Sequence, residues 1–431
     1  MNPLKAIAKG SVLIFVGTLL GTFFKFGSNW LLANHLSPAD FGAFSFAFSA
    51  LNILASLSVM GTVYLMLKYL PQYLVHGQKI VAGRLLGFSG ATTLIASLVL
   101  SIASAFFLSD YLSVQFLKNP AYSDVLFWMM LATPVFACLL LSVSIFQGFS
   151  RAKEKVLAFD LALNGLFLIF VSGLVFFGYL TLRNAVWIQA LTLVFALVLS
   201  ALFLNRLFRA NRLALSMGAS SSERREWFVF AAPLFVQDLF GLLLLWTDTF
   251  VLGMNLGAES LGAYFAATRL ATALSLFLTA ASYLYAPLAS GFFSQNRTAD
   301  VKRMYRTVTK WVTLATLPVF IVFILFPHVV LTFFYGNRFS EATTALSFLG
   351  LGYLAFTAFG PSGVTLISLG RNKFLVGSTV AAGVSNVLLS FLLIPMFGIT
   401  GAALAAAGSM FLLKALISVE LHRTHQISPF S

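Results

Sequence analysis

The sequence predicts an all-α membrane protein of twelve transmembrane helices in two parallel six-helix repeats. Three observations predict this. The 431 residues are 59% hydrophobic and 9% charged, against about a quarter charged in soluble domains, and the mean hydropathy is +0.93. Apolar stretches long enough to cross a bilayer as helix recur twelve times, with none of the alternation of a β-barrel. Short motifs also return at a fixed offset of 220 residues.

The twelve segments lie at residues 10–33, 42–67, 85–108, 123–147, 157–179, 184–205, 230–254, 261–286, 311–334, 343–368, 374–394 and 399–420. The first follows a basic start, MNPLKAIAKG. Its apolar run is too long for a signal-peptide core and no small-residue cleavage site precedes the second segment, so it is expected to be retained. The connections are too short to form a soluble domain. The expected division is an N-terminal lobe at 1–210, a cytoplasmic linker at 211–229 and a C-terminal lobe at 230–431.

The net charge of +14 is explained by its position. Connections on the N-terminal side hold 21 of the 27 Lys and Arg, and those on the other side hold Lys118, Arg183 and Arg338. By the positive-inside rule both termini are cytoplasmic, and no nucleic acid is needed to account for the charge. Three cations remain within helices: Lys25, Arg269 and Lys414. The single cysteine, Cys138, excludes an internal disulfide, and the five histidines lack metal-ligand spacing, so no metal site and no cofactor are expected. No GxxxxGK[ST] motif is present, which argues against nucleotide hydrolysis.

The repeat rests on four matches in order. Phe44 of SPADFGAF falls on Tyr264 of GAESLGAY, and Gly42 and Ala43 fall on Gly262 and Ala263. Arg151 and Lys153 fall on Arg371 and Lys373, and Phe177-Gly178 falls on Phe397-Gly398. Six helices is an even number, so the second half enters from the same side as the first. Transporters built on parallel repeats carry their substrate sites between the halves near the bilayer midplane.

Polar groups at membrane depth are the candidate site. Lys25 lies roughly 22 Å along the first helix, where an ionised side chain costs at least about 2.5 kcal/mol. Thr18, Gly21, Thr22, Lys25, Ser28 and Asn29 share its face at three- and four-residue steps, and a polar stripe should face protein or water rather than lipid. The seventh segment places Gln237, Gly241 and Asp248 on nearly one azimuth, with Asp238 one position round. The eighth carries Thr268, Thr272, Ser275, Thr279 and Ser282 beside Arg269. Asn386 in the eleventh and Asp160 and Asn164 in the fifth complete the set. Each has a plainer reading: hydroxyls bond their own helix, Arg269 pairs with Asp248 or Asp238 to hold helices together, Lys25 and Lys414 snorkel, and Asp160 balances charge at the inner edge. For Asp238 and Asp248, structural pairing and a proton or sodium site weigh equally.

Pro233 and Phe359-Gly360-Pro361-Ser362-Gly363 are candidate hinges, and GTLLG (Gly17 to Gly21) and GMNLG (Gly253 to Gly257) permit close helix contact.

Three stretches carry a family resemblance: LSPADFGAFSFAFSALNIL (Leu36 to Leu54), KYLPQYLVHGQ (Lys68 to Gln78) and QGFSRAKEKV (Gln147 to Val156). With the span pattern, the chain resembles flippases of the multidrug/oligosaccharidyl-lipid/polysaccharide (MOP) exporter superfamily, and most of all the polysaccharide-repeat-unit branch, the O-antigen flippases. The resemblance implies a V-shaped pair of six-helix lobes around a central cavity. It implies alternating access that moves an undecaprenyl-diphosphate-linked oligosaccharide from the cytoplasmic to the outer leaflet of a bacterial inner membrane. Polysaccharide polymerase machinery would be a partner, and the chain would act as a monomer and not as an enzyme.

Related lipid II flippases carry cavity cations on helices 1, 2 and 8. Lys25 and Arg269 match the first and third, whereas helix 2 offers only Asn52. Those proteins usually have fourteen helices, so lipid II is disfavoured. Asp40 falls at the helix 1–2 junction, where that family has a functional carboxylate. The implied site is therefore Lys25 and Arg269 on the diphosphate, with Thr22, Asn29, Gln237, Thr272 and Asn386 lining the cavity. Asp238, Asp248 and Asp40 are candidates for H+ or Na+ coupling. The alternatives are a multidrug cation antiporter of the same superfamily, a membrane-embedded polymerase or acyltransferase, and a non-transporting assembly protein.

Overall fold

Every regular element is helical in the structure, a computed structural model that describes residues 3–295 and 297–428, with side chains from residue 14 onward except at residue 294. Helix 1 is Pro3–His35. Helix 2 is Pro38–Val59 and continues as Thr62–Val75. Helices 3 to 6 are Lys79–Phe107, Pro120–Gly148, Ala152–Phe176 and Leu182–Asn211. Helices 7 to 10 are Ser221–Leu256, Ala258–Phe293, Thr298–Leu325 and Asn337–Ser368. The last element, Asn372–His425, is broken by the non-helical Gly398 into helices 11 and 12. Among the described residues ten helices are long and apolar enough to cross a membrane; counting the last as two at Gly398 and adding helix 1 accounts for the twelve expected segments.

Several helix ends fall outside the expected segments, and helices 2 and 9 show why. The chain past the expected end of the second segment at residue 67 is helical to Val75, because Leu65, Met66, Tyr69 and Leu70 make one buried face that joins a core with Leu85, Leu86, Leu141 and Ile145. The chain turns at Met60 and Gly61 instead, both with positive φ. Helix 9, expected at 311–334, runs Thr298–Leu325. Val301, Tyr305, Thr309, Val312 and Thr316 are buried at helical spacing and extend it back through the basic run, and Pro327, which restricts the residue before it, ends it. Helix 5 contains a π-helical stretch, Val156–Leu163.

Two compact units are present. One contains Val16–Leu36 and Ala43–Leu239, the other Ser37–Gly42 and Phe240–Ser431 with the start of the chain. The division falls inside helix 7. Residues 211–229, expected as a linker, are anchored on the first of these units. Trp227 is fully buried and donates its Nε1–H to the Tyr73 hydroxyl at 3.1 Å. Arg84 pairs with Glu223 at 3.3 Å, and Ser216 N–H donates to the Gly83 carbonyl at 3.2 Å.

The 220-residue offset is also written in the backbone. Ser150 and Gly370 both take positive φ at the turn before helices 5 and 11, and Gly178 and Gly398 both do so after them. Inside the second unit the offset becomes a contact. A Cβ on Gly42 would strike the Ala258 carbonyl and Gly262 N, and one on Gly262 would strike the Pro38 carbonyl and Gly42 N. Each residue meets the repeat-mate of what its own mate meets, so a local two-fold axis passes between the two glycines.

Candidate functional site

Helix 1 presents its polar stripe away from its apolar one. Val16, Leu19, Leu20, Phe23 and Trp30 are its exposed large apolar residues, and at 3.6 residues per turn Lys25 sits about 200° round from their centre. Lys25 is exposed, with its Nζ 6.0 Å from the Phe48 ring. Phe48 belongs to a ladder with Phe44 and Phe136. Beside it, helix 1 lies against helix 5 through GTLLG: a Cβ on Gly17 would collide with Val156, and one on Gly21 would come within 2.7 Å of the Asp160 carbonyl. Thr22 donates to the Thr18 carbonyl at 2.8 Å and Asn29 to the Lys25 carbonyl at 2.6 Å. These bonds use the hydroxyl hydrogen and one amide hydrogen within the helix and leave acceptor capacity over.

In the same unit Gln237 is half-buried and Asp238 accepts the Tyr64 hydroxyl at 2.7 Å. Asp160, expected to balance charge at the inner edge, is buried and bonded to the buried Lys155 at 2.6 Å. Lys155 is therefore not the solvated loop cation its sequence position suggests. The π-helical stretch brings the two together at a spacing of five residues.

The second unit gathers Asp248, Arg269 and Thr272 around tyrosines. Asp248 is buried and accepts from the Tyr264 hydroxyl and, at 2.8 Å, from the Thr249 N–H. Thr272 donates to the Thr268 carbonyl at 2.6 Å and meets the Tyr353 hydroxyl at 3.1 Å. Arg269 lies 6.0 Å from the Phe265 ring, within electrostatic reach of Tyr335 and Tyr353. Among the described residues its buried Nε has no hydrogen-bond partner, and neither does the Tyr335 hydroxyl. No ion pair joins Arg269 to Asp248 among the described residues, so the helix-tying pair weighed from the sequence is not made between them.

Asn386 is fully buried on helix 11, and among the described residues both its amide atoms are unpartnered, as are Ser390 and Ser378 at four- and eight-residue steps from it. Asp40 occupies the first turn of helix 2, where its N–H donates to Ser37 Oγ at 3.0 Å. A carboxylate there is favoured by the helix dipole.

Lys414 overturns its expected snorkelling. It is buried and its ammonium donates to the Gly360 carbonyl at 3.2 Å and to Ser362 Oγ at 3.4 Å, 4.0 Å from the Phe356 ring. The Tyr305 hydroxyl donates to the Phe359 carbonyl at 2.5 Å. These two donors satisfy carbonyls that the Gly360-Pro361 break in helix 10 takes out of the helical ladder, which in hydrocarbon must find partners inside the protein. The sequence offered a signal for Lys414, a glycine-proline break and one cation to serve it, but nothing that joined them. The tyrosine partners of Asp238 and Asp248 left none.

The polysaccharide biosynthesis protein family matches residues 7–290, and the MatE family matches residues 233–408. The chain is 22% identical over 429 residues to a probable low-salt glycan biosynthesis flippase, Agl15, of Haloferax volcanii, covering 98% of this chain and 84% of that one. An inward-facing multidrug resistance MATE family transporter of the MOP superfamily superposes with a TM-score of 0.76 at 13% identity, covering 96% of this chain and 98% of its own. A Pyrococcus furiosus MOP superfamily transporter, described as having a binding pocket of reverse polarity, gives 0.68 at 14% identity over 99% and 96%. The helices are long and apolar enough to cross a membrane, and the fold is the one shared by MOP superfamily transporters. The chain belongs to the polysaccharide biosynthesis protein family.

Proposed function

We propose that this transporter flips a lipid-diphosphate-linked oligosaccharide across the membrane by alternating access, with Lys25 and Arg269 receiving the diphosphate. The observation that carries the reading is Arg269. A guanidinium with an Nε donor left over, beside tyrosines and in no ion pair with the Asp248 of the same cluster among the described residues, is arranged for an anion. Lys25 on the polar face of helix 1 is the second cation. The hydroxyl and amide groups of Thr22, Asn29, Gln237, Thr272 and Asn386 suit the sugars, and the prenyl chain stays in lipid. The glycan-flippase relative supports the substrate class. In this proposal the lipid is undecaprenyl diphosphate, the membrane is a bacterial inner membrane with both termini cytoplasmic, polymerase machinery takes the product, and the chain works as a monomer. Asp238, Asp248 and Asp40 are proposed for proton or sodium coupling.

The test uses the full chain in proteoliposomes with a fluorescent undecaprenyl-diphosphate oligosaccharide in the inner leaflet. Losing a hydrogen bond to a charged group costs about 1.5–3 kcal/mol, so Arg269→Ala and Lys25→Ala should each slow flipping by roughly tenfold to a hundredfold. Arg269→Lys should retain part of the rate. Wild-type rates in both alanine variants, or export of ethidium by the wild type without glycolipid flipping, would overturn the reading.

A further inference from the structure

A cavity of about 310 Å³ opens where the turn before helix 5 meets the end of helix 6, lined by Arg151, Lys153, Arg206 and Glu154 over Leu157 and Phe203. It lies within one unit, and none of its lining residues is among the groups proposed above. We propose that it holds the phosphate headgroup of a resident anionic phospholipid, whose acyl chains run along the helix 5 and helix 6 surfaces.

The chemistry is two-sided. Three cations against one carboxylate leave a net positive rim, and the floor is hydrocarbon. The one ion pair at the rim, Arg151 to Glu154, is long at 3.9 Å, and the Arg151 side chain is 52% exposed. No ion pair holds Lys153 or Arg206 among the described residues. The neighbouring Lys155 is turned inward to Asp160 at 2.6 Å, so it does not contribute. Basic pockets between membrane helices at the headgroup level are the usual sockets for anionic lipid. A volume at the low end of ligand sites suits a phosphodiester but leaves no room for a diphosphate with its glycan.

The second repeat supplies the contrast. At the offset of 220, Arg371 stands for Arg151 but pairs with Glu420 at 3.0 Å. Glu420 has Ser200 as its counterpart, Phe374 replaces Glu154 and Gln426 replaces Arg206. Phe374 and Leu375 fill that corner against Leu421 and Ile427. The second repeat keeps Lys373 but has paired its arginine with an acid and set a phenylalanine in the corner, whereas the first has kept three cations around a hollow.

The inference needs the membrane setting and not the proposed substrate, so the two fail separately. The experiment is native mass spectrometry of the full chain offered phosphatidylglycerol or phosphatidylcholine with identical acyl chains. Wild type should prefer phosphatidylglycerol on the order of tenfold. Arg151→Ala/Lys153→Ala/Arg206→Ala should abolish the preference, and Lys302→Ala/Arg303→Ala, on a basic run of the other unit, should keep it. Arg206→Gln, a single change at an exposed residue, should lose part of it if the triple variant purifies poorly. No preference in wild type, an unchanged preference in both pocket variants, or equal loss in the Lys302/Arg303 control would overturn the proposal. Displacement of phosphatidylglycerol by equimolar undecaprenyl diphosphate would also overturn it, making the cavity a docking point for substrate.

Discussion

Asp248 carries the sharpest question at the level of single residues. Its carboxylate is held by the Tyr264 hydroxyl and the Thr249 N–H, so a structural and a coupling role share the same atoms. Asparagine can keep the Thr249 bond on its one carbonyl oxygen and donate its amide to the Tyr264 hydroxyl oxygen, whereas alanine leaves the buried tyrosine hydroxyl without a partner at a cost of about 1–3 kcal/mol. Asp248→Asn should therefore melt close to wild type while losing ion-driven flipping, and Asp248→Ala should melt lower. Thermal unfolding in detergent alongside gradient-driven flipping checks both, and a fully active Asp248→Asn would leave Asp248 a purely structural group. The polar face around Lys25 was legible in the sequence because helical spacing alone decides which residues share an azimuth. The partners were not legible: Tyr64 lies 174 positions from Asp238, and Tyr353 lies 81 from Thr272, separations over which no local pattern acts. Lys414 was misread for the same reason, since the carbonyl it serves is 54 positions away.

Among the elements, the interrupted helix 10 is where a buried charge does structural service. The Gly360 carbonyl depends on Lys414 and the Phe359 carbonyl on Tyr305. Lys414→Met keeps the side-chain length and removes the donor, and should destabilise the protein by about 1–3 kcal/mol. Tyr305→Phe should do the same through the adjacent carbonyl, and the two together should be non-additive because they serve one break. Thermal unfolding of the two single variants and the double variant measures this. Independent melting shifts would mean that the break is not a single cooperative feature. The break itself was readable from Gly360-Pro361. The π-helical stretch in helix 5 was not, because VLAFDLAL has the composition of an ordinary span. What distinguishes it is the five-residue reach between Lys155 and Asp160. The expected ends of helices 2 and 9 failed where amphipathic turns continued past the apolar run, since hydropathy marks the hydrocarbon and not the helix.

For the molecule as a whole, twelve spans and the two-fold internal repeat were legible because both are periodic in sequence. The location of each span's charged end carries a directional prediction. With Cys138 replaced by serine, a cysteine at Lys302 should react with a membrane-impermeant maleimide only after cells are opened, and one at Lys118 should react in intact cells. The reverse labelling would invert the proposed orientation and with it the direction of transport. The contact between Gly42 and Gly262 reaches further back. A surface that meets its own counterpart by the same atoms needs no partner gene. A six-span ancestor bearing that patch would have dimerised with a copy of itself, and tandem fusion of two such genes would then have let each copy drift. The first kept an open basic corner and the second sealed the equivalent one with an acid and a phenyl ring.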